Sequence, residues 1–233
     1  MRRNNTSAMS ARPGGTVGRP HRLADEVYDA ILGQLMSSKI PPGGAINIDD
    51  LAREFGVSQT PIREALGHLE AYGLVTKVQF IGYTAAPQLD KRQFEELCEL
   101  RLRLEPYLAG RAAEIIDDRG IAALRECAKV AVNPIFNDGG ASYAQFVRHD
   151  AALHDQIAAA ADNRLMRDTL ARLHVHLHLF RLPHHPSVTV EALDEHNEIV
   201  DGIARRDRDA AEGAMRRHIE KVLDRFGSMF DEA

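Results

Sequence analysis

Leu51-Ala52-Arg53-Glu54-Phe55-Gly56-Val57-Ser58-Gln59-Thr60-Pro61-Ile62-Arg63-Glu64-Ala65-Leu66 reads as a short helix, a sharp turn and a second helix. Gly56 suits the left-handed residue that ends a helix. Ser58 is placed as the N-cap of the next one, and Pro61 falls in its first turn, where a missing N–H costs little. Ala52 is small where two helices cross, and Val57 plugs the space between them. Ile62, Leu66 and Leu69 recur at the spacing of one buried helix face. The second helix then offers Ser58, Gln59, Thr60 and Arg63 from its N-terminal end. Such donors suit phosphates and base edges, and a helix N-terminus itself attracts phosphate.

Upstream, Leu23, Val27, Ile31 and Leu35 follow a helical period from Arg22, and Pro41-Pro42-Gly43-Gly44 stops it. Downstream, Gly73 ends the second helix of the motif. Val75, Val78, Phe80, Ile81 and Tyr83 then form the one convincing run of β material, with Gly82 as the turn residue. That strand pair supplies a wing, so residues 22–86 are expected to form a winged helix-turn-helix. Residues 1–21 are polar, broken by Pro13-Gly14-Gly15 and Pro20, and carry Arg2, Arg3, Arg12 and Arg19. They read as a disordered basic arm.

Beyond Asp90 the pattern is helical throughout, with helices near 90–116, 118–132, 141–161, 163–181, 188–205 and 207–230. Phe94, Leu97, Leu100, Leu104 and Leu108 mark the first. The expected fold is mainly α: an N-terminal winged helix-turn-helix followed by an antiparallel all-helical bundle over residues 90–230. A hydrophobic share of 44% is enough for packed cores in both parts. No apolar run approaches the ~18 residues that cross a bilayer, and no membrane role is expected. Cys98 and Cys127 stand far apart, outside any CxxC pattern, and read as free thiols of a cytoplasmic protein.

The net charge of −5 is divided unevenly. Residues 1–86 hold 9 Lys and Arg against 8 Asp and Glu, and the remainder holds 20 against 26. The front part is the part suited to approach phosphate.

Nine of the 11 histidines fall between 149 and 218. Asp150 and His154 are four apart, which puts both on one face of a helix. His196 and His218 lie on two later helices. Three helices could thus bring one carboxylate and three imidazoles to a shared point, a set that suits zinc or another first-row divalent ion. The alternative is that these are core histidines satisfying backbone groups. A second group, His174, His176, His178, His184 and His185, reads as a polar helix end, with lining of an effector cavity or a further metal site as alternatives.

The stretch LAREFGVSQTPIREALGHLEAYGLV, with IPPGGAINIDDLA before it, resembles the GntR family of bacterial transcriptional regulators over residues 22–86. The stretches FEELCELRLRLEPYLAGRAAE, FVRHDAALHDQIAAAADNRLM and EHNEIVDGIARRDRDAAEGAMRRHI resemble the FCD effector domain of its FadR-type branch, over nearly all of 90–230. The resemblance implies double-stranded operator DNA as partner, bound by a homodimer. It implies DNA contacts at Ser58, Thr60 and Arg63, with Gly82 in the wing. Gln59 stands where the family usually has Arg, and Gln favours adenine rather than guanine. Arg53 is expected at the DNA backbone or in solvent. The resemblance also implies a metal held by Asp150, His154, His196 and His218, with zinc first and nickel, manganese or iron as alternatives. A small carboxylate effector would meet that ion. Arg101, in the family's ELR..LE pattern, either holds this effector or pairs with Glu105 one turn on.

The function expected is therefore a ligand-responsive transcriptional regulator, not an enzyme. The alternatives are a metal-sensing repressor and, in another class, a helical metalloenzyme with Glu195 or Asp155 as base. The resemblance also disfavours an acyl-CoA responder, because in that family the polar ligand set would stand where such a ligand needs apolar room.

Overall fold

The computed structural model describes residues 20–80, 82–129, 141–173, 186–227 and 230. Most of the expected basic arm, Ile81, and His174, His176, His178, His184 and His185 lie outside the described residues. The winged part comprises α1 (Pro20–Met36), β1 (Ala45–Ile46), α2 (Ile48–Phe55), α3 (Gln59–Ala71), β2 (Val75–Val78) and β3 (Gly82–Ala85). The helical part comprises α4 (Lys91–Ile115), α5 (Asp118–Ala128), α6 (Ala141–Ala160), α7 (Arg164–Leu173), α8 (Pro186–Ala204) and α9 (Arg208–Gly227).

Local chemistry sets these boundaries. The Asn47 side chain caps α2 by accepting from the N–H groups of Asp49 and Asp50, and Gly56 ends that helix at φ 66°. Ser58 is the extended N-cap of α3, but its hydroxyl makes no capping bond. Asp90 and Gln93 form a reciprocal capping box at the start of α4.

Two features of the wing differ from the sequence reading. The sheet has three strands, in the order β1-β3-β2. β1 is only two residues long, too short to show any alternation. It forms because Pro41 to Gly44 turn the chain back beside β3, where Gly43 donates to Ala85 and Ala85 to Gly44. In addition, Val78 pairs with Gly82, so the reversal falls between these two residues. Gly82 is not the turn residue but the first residue of β3, at φ 104°. Phe80 takes the left-handed conformation at the tip, at φ 66°, and is 98% exposed.

α3 packs on α1 and α2, and α1 also packs on α6 of the helical part. A single core follows from this. Val27, Ile31, Leu35, Ile62, Leu66 and Leu69 of the winged part share it with Phe94, Phe146, Val147, Ala192, Val222 and Phe226. A second core, farther from the wing, holds Leu108, Ala112, Leu153, Ile157, Ile199 and Met215. α4, α6 and α8 run from the first core to the second, and α9 runs back.

α8 and α9 approach closely at Gly202, where an added Cβ would come within 2.9 Å of the Ala211 backbone nitrogen. At Gly110 an added Cβ would meet only the side chain of Glu212, which can swing away. Gly202→Ala is therefore expected to destabilise. Overpacking of this kind costs about 1–3 kcal/mol, against a gain of roughly 1 kcal/mol in helix propensity. Thermal denaturation followed by circular dichroism should show a lower melting temperature for Gly202→Ala and little or no decrease for Gly110→Ala.

Candidate functional site

Between the two cores lies a layer of buried charge. Among the described residues eight polar or charged side chains are buried, and seven of them are here: Arg101, Glu105, Asp150, His154, Glu195, His196 and His218. α4 supplies the first two, α6 the next two, α8 the next two and α9 the last. Asp150, His154, His196 and His218 each offer one ligand atom, and these four atoms lie within 4.8 Å of one another. The ring centroids of the three histidines are 4.9 to 5.5 Å apart.

The donor set fits a divalent metal on the structure's own terms. His196 is buried, yet neither of its ring nitrogens has a hydrogen-bond partner. A buried imidazole without such partners carries a desolvation penalty that coordination would relieve. His196 Nε2 lies 3.1 Å from Oδ1 of Asp150, close enough for attraction but not aligned for a hydrogen bond. Burial pushes the His218 imidazole down to about 4. At neutral pH that ring is uncharged, the form that binds metal.

Two carboxylates stand behind the cluster. Glu105 Oε2 lies 2.5 Å from Nδ1 of His154, and Oε1 accepts from Arg101 Nε at 2.6 Å. Glu195 Oε2 lies 2.8 Å from Nδ1 of His218, and both its oxygens accept from Arg225 at 2.6 and 3.0 Å. Burial works to raise the Glu195 carboxyl, but its hydrogen bonds to His218 and Arg225 hold it down at about 2. With His218 neutral at pH 7, the charge partners are Arg225 and, 3.4 Å from Oε1, Lys221. Burial also works to discharge Arg101, and Glu105 and Asp150 more than offset it, so Arg101 stays charged.

Arg101 is 1% exposed and engaged by Glu105. Of the two roles left open for it, the structure displays the helix pair. His149, next to Asp150, turns away from the cluster toward Cys127, 3.9 Å from its sulfur. Beside the cluster a cavity of about 10 Å³ is lined by Glu105, His154, Leu108, Ile157, Leu170 and Met215 among others. Asp155, one of the two bases weighed for an enzyme, is paired with Arg167 away from this layer.

The second candidate surface is the start of α3. Ser58, Gln59, Thr60 and Arg63 are all exposed there. Arg63 Nη2 donates to Gln59 Oε1 at 3.0 Å, and Gln59 Nε2 donates in turn to Asp49. Arg53, on α2, is exposed and paired with Asp50.

Comparison with known proteins matches two stretches of the chain to two family models. Residues 23–83 match the model described as bacterial regulatory proteins, gntR family. Residues 96–221, more than half of the chain, match the FCD domain. The chain belongs to the GntR family of bacterial regulators.

This GntR regulator is 23% identical over 211 residues to the Bacillus subtilis HTH-type transcriptional regulator YdhC, covering 89% of this chain and 92% of YdhC. It is 27% identical over 222 residues to the B. subtilis regulator LutR, covering 85% of this chain and 98% of LutR. Its fold is similar to that of Escherichia coli McbR/YncC, with a TM-score of 0.62, 19% identity, and coverage of 90% and 98% of the two chains. These relatives and both domains are regulatory rather than enzymatic, and so is this chain.

Sequence reasoning missed Arg225 and the outer roles of Glu105 and Glu195. Arg225 is seven residues after His218, two helical turns along the same face, so a signal was present. Glu105 was visible only as the helix partner of Arg101, because its approach to His154 crosses between helices.

Removing one partner of a buried ion pair strands the other, at a cost of about 3–5 kcal/mol. Arg101→Met is therefore expected to lower the unfolding free energy by about that much. Arg101→Met combined with Glu105→Gln should recover a substantial part. Urea denaturation of both variants checks this.

Proposed function

We propose that this regulator binds operator DNA as a homodimer and is controlled by a small organic acid meeting a divalent metal ion in its helical domain. The supporting observation is the convergence of four buried ligand atoms, from Asp150, His154, His196 and His218, within 4.8 Å. Zinc is proposed first, and nickel, manganese and iron accept the same donors. A bound ion would supply Lewis-acid positions for a carboxylate. The chain's own residues hold the ligands, exclude water and keep His218 uncharged.

At the other end, Ser58, Gln59, Thr60 and Arg63 would enter the major groove. Arg53 and the wing residue Gly82 would lie along the backbone. The charge division supports this orientation, since the acidic part of the chain lies in the helical domain. The ligand helices α6, α8 and α9 also supply Phe146, Ala192 and Val222 to the core shared with the winged part. A shift at the ligands would therefore reach α1 and alter the spacing of two recognition helices. Such a regulator works in the cytoplasm, where its DNA is. An effector contact by Arg101 would require Glu105 to give way.

A second reading has an observation in its favour. A cavity of about 10 Å³ holds about one water. Among the described residues this is the space beside the cluster, so an organic acid would need room beyond it, whereas a metal ion acting as its own signal would not.

Selection from a random duplex library, followed by gel shift, should yield a preferred site whose binding weakens steeply with salt. Arg63→Ala should weaken binding to it by about 1–3 kcal/mol. Failure of the folded protein to retard any duplex at moderate salt would sink the reading.

Metal analysis of the purified protein should find about one ion per chain if the cluster binds as proposed. Removal by a chelator should lower the melting temperature. If DNA affinity then follows added metal alone, the metal-sensing reading is correct. If it changes only when a carboxylate is added to metal-loaded protein, the effector reading is.

A further inference from the structure

α6 carries charge on two sides. Asp150 is buried in the polar layer. Arg148, two residues earlier, lies about 200° away around the helix. It forms an ion pair with Asp29 of α1 and so ties the helical part to the winged part. Both side chains are half-buried, at 39% and 38% exposed. Burial works to discharge Arg148, and Tyr28 and Asp25 of α1 work against it.

The pair sits in a groove of about 560 Å³ between the two parts. Asp25, Tyr28 and Asp29 of α1, His68 of α3, Tyr72 just past it, and Arg148 line this groove. The ring of Tyr28 lies 6.5 Å from that of His68 and 6.3 Å from that of Tyr72. α1 therefore connects Arg148 to the C-terminal end of α3, the helix whose start carries Thr60 and Arg63. α3 has 13 residues and is about 20 Å long, so a small tilt at the Tyr72 end swings its start. The shared apolar core does not control such a tilt by itself. Apolar burial resists separation but has no preferred direction. An ion pair joins two particular points, and this one does so across a groove rather than within a packed seam.

We infer that Arg148 is a positioning residue for operator recognition: its ion pair with Asp29 sets the angle of the winged part on the helical part, and so selects the half-site spacing that the dimer accepts. The inference rests on the operator-binding reading given above. In a two-fold dimer the separation of half-sites mirrors the placement of the two recognition helices. Half-exposed ion pairs contribute little to stability, so this pair is suited to hold an angle and to be given up when α6 moves. α6 also carries Asp150 and His154, so the angle and the buried cluster depend on one helix.

The test uses the full chain and the site selected from the random duplex library. That site is rebuilt as two half-sites whose separation grows one base pair at a time over a helical turn, with an isolated half-site as control. Fluorescence anisotropy gives the affinities. The wild type should favour one separation by about 10-fold over those half a turn away. Arg148→Met and Asp29→Asn should each flatten this preference to about 3-fold or less, and leave affinity for the isolated half-site within about 2-fold. The double variant should be no flatter than either single one, because both remove the same interaction. Circular dichroism establishes that each variant is folded. Should Arg148→Met fail to fold, the isosteric Asp29→Asn carries the comparison. A preference that survives loss of either charge, or additive effects of the two, overturns the inference and leaves operator binding standing. So does a wild type indifferent to separation. Equal weakening on every duplex, the isolated half-site included, shows a purely structural role and overturns it as well. If the folded wild type binds no duplex, the operator-binding reading fails and takes this inference with it.

Discussion

Two Arg–Glu pairs, Arg101 with Glu105 and the partly exposed Arg225 with the buried Glu195, stand at the centre of the helical domain. Burying such charges is expensive, and a well-packed apolar layer of the same volume would often be as stable or more so. Their presence is better explained by what they orient. Each carboxylate has one oxygen on an imidazole, and each arginine neutralises the charge this leaves behind. The layer is thus arranged around three histidines and Asp150, not around its own ion pairs.

The position of this layer gives it leverage. On one side is an apolar core of the helical domain alone, with Leu108, Ile157, Ile199 and Met215. On the other is a core that runs without a break into the winged part. The winged domain is not hung on a loose linker. Val27 and Ile31 of α1 are packed in the same cluster as Phe146 and Val147, one turn before Asp150 on α6. Packed interiors transmit displacement because they have few voids to absorb it. Under the proposed function, a displacement in the polar layer would reach the winged part through this shared core.

The start of α3, proposed to face DNA, is built differently. Its chemistry is exposed, and the side chains satisfy one another while waiting. Arg63 donates to Gln59, and Gln59 to Asp49. Contact with a duplex would exchange these for contacts of similar kind, with Asp49 opposing phosphate until it is turned aside. The wing adds an exposed Phe80 in a conformation that bulky side chains seldom adopt. Gly82, behind it, starts the strand that carries the tip.

The sequence alone determined the architecture and the family, because those signals are local. Helical periods, Gly56 at a helix end and the turn before Ser58 act over four or five residues. Asp150 and His154 were legible as a pair for the same reason: a helix puts residues four apart on one face. Three things were decided only by tertiary structure. β1 exists because a distant strand accepts it, and the wing reverses between Val78 and Gly82 because register, not glycine, sets the place. The third is the outer shell of the cluster. Whether Arg101 faces a ligand or Glu105, and whether His196 has an anchor as His154 and His218 do, depends on helices far apart in the chain arriving at one point. Side-chain contacts across helices leave no period in a sequence, so only the packed molecule could decide them.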